Sequence, residues 1–146
     1  MEKKYILTEE TKEVGGHILH RIQAVRDFDD VQKGDLGGWV ESEENLSHDG
    51  NCWVFDNGEV SSNARIGVNA YISSPRSYFV QGPIGSRDDF LTCYLDKDKK
   101  IYAVTGCFSG TLEEFEKKVK ETHGSNKHAK QYLKAAEAAR VMLSEE

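Results

Sequence analysis

Between residues 51 and 72 the chain reads NCWVFDNGEVSSNARIGVNAYI, and it repeats with a period of six. Asn51, Asn57, Asn63 and Asn69 each precede a small residue (Cys52, Gly58, Ala64, Ala70), and three residues after each comes Val54, Val60, Ile66 or Ile72. An amphipathic helix would space its apolar residues three and four apart, and a strand would alternate by two. A period of six instead suits flat rungs separated by turns, each sending one aliphatic side chain inward and cornering on a small residue. Three such rungs close one triangular coil. Four are clear, and Asn45 opens a fainter fifth in which His48 stands where the aliphatic residue belongs.

That amounts to about one and a half coils, and stacked repeats bury a core only through their neighbours. The ends must therefore be capped, or several chains must pack together. An incomplete prism with apolar edges leads us to expect a homo-oligomer, a trimer or a trimer of dimers. IGVNAY is close to the hexapeptide unit of left-handed parallel β-helices.

The rest of the chain is short. Its 146 residues, 38% hydrophobic and 30% charged, describe one ordinary domain or two small modules. No apolar run approaches a membrane span, and MEKKYILTEE lacks the apolar core of a signal peptide, so a cytoplasmic protein is expected. Cys52, Cys93 and Cys107 are odd in number and show no CxxC spacing, which reads as buried reduced thiols. The net charge of −6 resides in residues 1–79, while the remainder balances. Such a chain repels a long polyanion, so nucleic-acid polymers are disfavoured as partners; one small phosphorylated ligand is not.

KYILTEETKEVGGHILHRIQAV reads as a β-hairpin turning at Gly15-Gly16. His17 and His20 then point to opposite faces as cross-strand polar residues. RDFDDVQKGDLGGWV reads as a lid on the coil's edge, anchored by Trp39, with Asp27, Asp29, Asp30 and Asp35 in a solvated loop that lacks calcium-loop spacing. Pro75 in SSPRS ends the hexads. SYFVQ, FLTCYL and IYAVTGCF predict a three-stranded antiparallel sheet. A capping box at Thr111 and Glu114 opens a helix with a Leu112, Phe115, Val119 stripe and a stop at Gly124. Ser125 is placed to cap a second helix presenting Ala129, Tyr132, Leu133, Ala136, Arg140 and Leu143 on one face. The fold class is α+β: residues 1–74 form a hairpin and a short left-handed β-helix for oligomerisation, and residues 75–146 form an antiparallel sheet with two C-terminal helices for ligand binding.

There is no Walker loop, GxGxxG, HExxH or nucleophile elbow. Hexapeptide coils do host acyltransferases with a histidine base and hydratases with a three-histidine zinc site, but only His48 falls near the repeat. We therefore expect no enzyme, no cofactor and no metal. Three polar clusters remain. GPIGSRDDF presents Ser86, Arg87, Asp88 and Asp89 on a tight loop; Arg87 could fork onto a phosphate and Asp88 accept from a ribose, or an Arg-Asp pair could simply staple the loop. GCFSGT runs from a strand end into a helix N-terminus, where Phe108 could stack on a base. THGSNKH joins the helices and carries His123, Asn126, Lys127 and His128, either solvated or turned to a ligand.

The segment KYILTEETKEV…RIQAVRDFDDVQKGDLGGWVESEENLS, followed by the hexads, resembles small phage and prophage proteins with a truncated hexapeptide-type β-helix. The segment GPIGSRDDF…GCFSGTLEEFEKKVKETHG…YLKAAEAA is similar to the Thoeris anti-defence sponge family in its order of sheet and two helices. That resemblance implies an oligomeric, non-catalytic protein that captures a cyclic ADP-ribose isomer or cyclic oligonucleotide immune signal. Residue types matching such a task are Arg87, Asp88, Phe108, Phe115, His123, Asn126 and Arg140. The alternative is a trimeric structural or protein-interaction protein of phage origin.

Overall fold

The computed structural model describes residues 3–55, 58–67, 69–74, 77–85, 87–106 and 108–143. The expectations for Asn57, Pro75, Ser86 and Cys107 fall outside the described residues. The described residues are mixed α+β, with ten strands and two α-helices.

Strands β1 (Tyr5–Val14) and β2 (His17–Ala24) form the expected antiparallel hairpin. Gly15 and Gly16 turn it at φ 57° and 88°, the paired positive values that a two-residue turn needs to match strand twist. β2 continues antiparallel onto β3 (Leu36–Val40). Three short strands follow: β4 (Trp53–Val54), β5 (Glu59–Val60) and β6 (Tyr71–Ile72). β3 pairs with β5 and β4 with β6, both parallel, and Leu46 bridges Ile66 in the same sense. Val40 thus lies over Val60, Leu46 over Ile66 and Val54 over Ile72, stacking two turns of chain. All six side chains are at most 1% exposed. The small residues Cys52, Ala64 and Ala70 are buried beside them. At Gly58 any Cβ would stand 2.6 Å from Val54 Cγ1 and 2.9 Å from the Ile72 carbonyl, so the chain there admits only glycine.

The first turn differs from the expected hexad. Leu46, not His48, points inward, and eight residues rather than six separate it from Val54, the extra length being taken up around Gly50 at φ 70°. An imidazole among aliphatic side chains would lose its hydrogen bonds. His48 instead stacks outside on Tyr5, with centroids 4.2 Å apart and planes 11° from parallel. Asn45 is 1% exposed and fully engaged: its Oδ1 accepts from the Glu41 and Ser42 amides, and its Nδ2 donates to the Ser62 and Ala64 carbonyls, clamping one turn to the next.

Both ends of the stack are covered by the same chain. The hairpin supplies Tyr5, Ile22 and Ala24 to the core, and the following loop tucks in Phe28, whose ring meets Trp53 at 5.2 Å. Trp53, 2% exposed, is the anchor expected of Trp39, which lies half-buried on the outer face beneath Lys12. A second sheet covers the other end. It has the order β10-β9-β8-β7, built from β7 (Tyr78–Ile84), β8 (Asp89–Leu95), β9 (Ile101–Thr105) and β10 (Phe108–Thr111), all antiparallel. The expected three strands become four because FSGT pairs with β9, turned back by Gly106 at φ 52°.

β8 is buried on both faces. Tyr94 joins the core of the stacked turns, with Tyr78 and Tyr102 packed against it, whereas Leu91 and Cys93 face helices α1 (Leu112–His123) and α2 (Lys127–Met142). α1 carries the expected capping box and apolar stripe, and Gly124 ends it at φ 63°. α2 departs from expectation in two ways. Asn126, not Ser125, is its N-cap, the side chain accepting from the Ala129 amide at 2.9 Å. Its buried face runs through Ala129, Ala135, Ala136 and Ala139, which turns Arg140 outward. Among the described residues the large exposed apolar side chains are Ile6, Val14, Ile18 and Leu36 on the hairpin sheet and Val141 and Met142 on α2. Among the described residues no helix is long and apolar enough to cross a membrane.

Candidate functional site

The seven candidate side chains divide among four places. Arg87 and Asp88 are exposed in the β7–β8 turn, with Asp88 at φ 51° and Gly85 at φ 80°. That turn is held to α2, since the Gly85 amide donates to Gln131 Oε1 at 2.9 Å. A Cβ on Gly85 would stand 1.8 Å from Tyr132 Oη, so the phenol packs directly against bare backbone. Asn126 is occupied as a helix cap. Arg140 forks onto Glu116 of α1, both contacts at 2.6 Å, and lines a hollow on the β9 side with Lys100 and Glu113. The pair holds the Glu116 carboxyl below the ordinary carboxylate range.

Phe108, Phe115 and His123 do converge. Phe108 on β10 and Phe115 on α1 have ring centroids 5.6 Å apart; Phe115 meets Tyr132 edge-on at 5.6 Å; His123 stacks on Tyr132 at 5.8 Å. These four rings line a hollow of about 120 Å³ between sheet and helices, with Lys118 on its rim. Phe108 and Lys118 also border an adjoining concavity of about 370 Å³ that carries Lys117, Glu114 and Glu121. Burial, with Asp89 adding to it, pushes the Tyr132 phenol up. Tyr132 was read from sequence only as part of a helix face. Its place beside His123 depends on the α1–α2 crossing, which no local pattern specifies.

A second cleft, of about 370 Å³, lies where the loop after β2 meets the β8–β9 turn. Asp29, Asp30, Asp96 and Asp98 border it, along with the rings of Phe55, Tyr71 and Tyr102. Lys97 crosses it to pair with Asp29 at 2.5 Å and Asp30 at 3.6 Å. Asp29 and Asp30 belong to the loop expected to be solvated, and no local pattern marks their meeting with Lys97. Four carboxylates facing one paired lysine disfavour an anion.

The histidines near the stacked turns are tied into structure. The His48 Nδ1 accepts from the Lys4 amide at 3.0 Å, and its Nε2 faces Glu43 Oε1 at 2.8 Å. His17 meets Glu41 at 3.0 Å, while His20 meets the Thr8 carbonyl at 3.3 Å. Cys52 and Cys93 are buried free thiols. Among the described residues no group of three or more His, Cys, Asp or Glu is disposed to hold a metal ion.

No family model matches the chain. A stretch of 44 residues, 30% of the chain, is 41% identical to the Escherichia coli K12 protein named "Uncharacterized acetyltransferase YdcK"; the match spans 14% of that protein's length.

Proposed function

We propose that the chain is a non-catalytic binding protein that captures a small ring-bearing anion, in the manner of a phage anti-defence sponge taking a cyclic ADP-ribose isomer or cyclic oligonucleotide in the host cytoplasm. The observation that carries this reading is the convergence of Phe108, Phe115, His123 and Tyr132 on one hollow beside Lys117 and Lys118. Aromatic walls suit a base, and each stacked base contributes about 1–3 kcal/mol. The hollow holds one ring system; the phosphates and sugars would lie across the adjoining concavity, within reach of the lysines. Arg87 and Asp88 lie exposed in the β7–β8 turn and do not line the hollow, and Arg140 already serves Glu116, so the phosphate role passes to the lysines.

We read the two stacked turns, with their six buried aliphatic residues, as a short left-handed β-helix that supports this site. An acetyl-transfer reading, suggested by the partial match, would need a base, and His48 has both ring nitrogens engaged. The alternative, a structural or interaction protein, is favoured by the exposed apolar residues Ile6, Ile18 and Leu36 on the hairpin sheet and Val141 and Met142 on α2. The same residues are what supports a homo-oligomer now that the stack is capped, and light scattering decides it. Titration calorimetry with cyclic ADP-ribose isomers and cyclic dinucleotides tests the leading reading: binding heat is expected from the native chain and at least a tenfold weaker affinity from Phe108→Ala. No heat with any of them leaves the interaction reading standing. Recovery of a cleaved ligand from the complex would make the chain a hydrolase.

A further inference from the structure

Lys4 is a fully buried lysine whose amine is held by backbone carbonyls and a thiol. Its Nζ donates to the Cys52 carbonyl at 2.6 Å, lies 3.4 Å from the Gly50 carbonyl, and stands 3.3 Å from Cys52 Sγ. The Phe28 ring closes the pocket over the amine, 5.0 Å from its centroid. Cys52 is itself 0% exposed, at one corner of the stacked turns. Its equivalents at two other corners, Ala64 and Ala70, show that a methyl group fills such a corner, so neither the thiol nor the lysine is needed to pack it. Ordinary burial would leave a long cation out of such a place, since its desolvation is costly. Nitrogen and sulfur, both nucleophilic, are instead held in contact without water between them.

We propose that Lys4 and Cys52 form an oxidative cross-link, an oxygen atom bridging Nζ to Sγ, which staples the start of β1 to the coil. In the step, dioxygen is the oxidant. The S–H bond, one N–H bond and the O–O bond break; S–O and O–N bonds form; the second oxygen leaves as water with the two hydrogens. Sulfur and nitrogen each give up two electrons and dioxygen takes four. Two equivalents of a dithiol return the four electrons and restore the amine, the thiol and one more water. Burial lowers the Lys4 amine's proton affinity, which favours its neutral nucleophilic form, and raises that of the Cys52 thiol, which the neighbouring amine partly offsets. From the present 3.3 Å an inserted oxygen asks the two atoms to close by less than a direct S–N bond would. The link joins residues 48 apart in the chain, so it constrains a long loop of the unfolded state.

The test is intact-mass and peptide mass spectrometry on the full chain after incubation in oxygen-saturated or oxygen-free buffer. In oxygen the protein should gain one oxygen and lose two hydrogens. One cross-linked peptide should join Lys4 to Cys52, the melting temperature should rise by several degrees, and dithiol should reverse all three. Lys4→Met and Cys52→Ala should each abolish the mass change. Loss of two hydrogens alone, gain of two oxygens on Cys52, persistence of the change in Lys4→Met, or a Cys52 thiol still fully alkylatable after oxygen treatment and unfolding would each overturn the proposal. The wild-type peptide map decides the matter even where a variant fails to fold.

Discussion

Replacing Ile66 by alanine probes the stacked turns at their centre. Ile66 is 1% exposed and bridges Leu46, which is 0% exposed, on the adjacent turn. Removing three buried carbons from an interior that cannot collapse onto itself costs about 2–5 kcal/mol, and the rigid backbone pairing on either side places this site near 3 kcal/mol. With a urea m-value of roughly 2 kcal/mol/M, the unfolding midpoint should fall by about 1.5 M. Leu46→Ala should do nearly the same. The double variant should lose about 1 kcal/mol less than the sum, because the two truncations open one shared cavity. Trp53, 2% exposed in the same core, supplies the fluorescence signal, and far-UV circular dichroism follows α1 and α2. Single losses below about 1 kcal/mol, or strict additivity between the two positions, would refute the stacking of these side chains.

Two further perturbations test details that the sequence misassigned or left open. Asn126→Ala should cost about 1 kcal/mol through loss of the α2 cap, while Ser125→Ala should leave the melting curve in place, which thermal denaturation can resolve. Stability should also fall in acid: hydrogen bonding to His48, with Lys3 adding to it, holds the Glu43 carboxyl below its ordinary value of 4.5, and Arg140 does the same to Glu116. Carboxyl groups bound more weakly by protons when folded contribute stability above pH 4.5 that is lost as pH falls through their lower folded values, so urea midpoints should drop across that window. Arg140→Met should make this acid loss shallower; an unchanged slope would remove the ion pair from the account.

What the sequence made legible was whatever depends on local spacing. The inward residues Val54, Val60, Ile66 and Ile72, the Gly15-Gly16 hairpin, the capping box at Thr111 and the α1 stripe all follow from periods and turn chemistry that neighbours in the chain dictate. Several misreadings required knowledge of a partner remote in sequence, although the α2 cap and the FSGT strand, whose partner β9 immediately precedes it, were local. His48 lies on the hexad spacing, but the chain accommodates two extra residues so that its ring can stack on Tyr5, 43 residues earlier. FSGT looks like a loop until β9 offers it an edge. Arg140 shares a helical face with Ala136, yet Glu116 on α1 draws it outward. The candidate site suffered most, because its walls come from β10, α1 and α2 at once: Phe108, Phe115 and His123 were singled out for their types, whereas the ring that unites them, Tyr132, carried no local signal.

The division into two modules at residue 74 leads to a testable outcome, because contacts cross it. Tyr94, 0% exposed, belongs to the core of the first half although β8 lies in the second, and the Arg65 amide donates to Thr92 Oγ1 across the same junction. A chain ending after Ser74 would lose Tyr94 from the core that holds Ile66 and Ile72, and with it Tyr78 and Tyr102, which pack against that core. Two turns bury too few aliphatic side chains to offset that loss and the entropy of ordering the chain. The truncated chain should therefore lack the blue-shifted emission of a buried Trp53 and show no cooperative urea transition, while the full chain unfolds with fluorescence and circular dichroism coinciding. A sharp transition from residues 1–74 alone, monomeric by light scattering, would mean that the sheet merely rests on the stack, and the closure of the fold would then have to be sought in the hairpin.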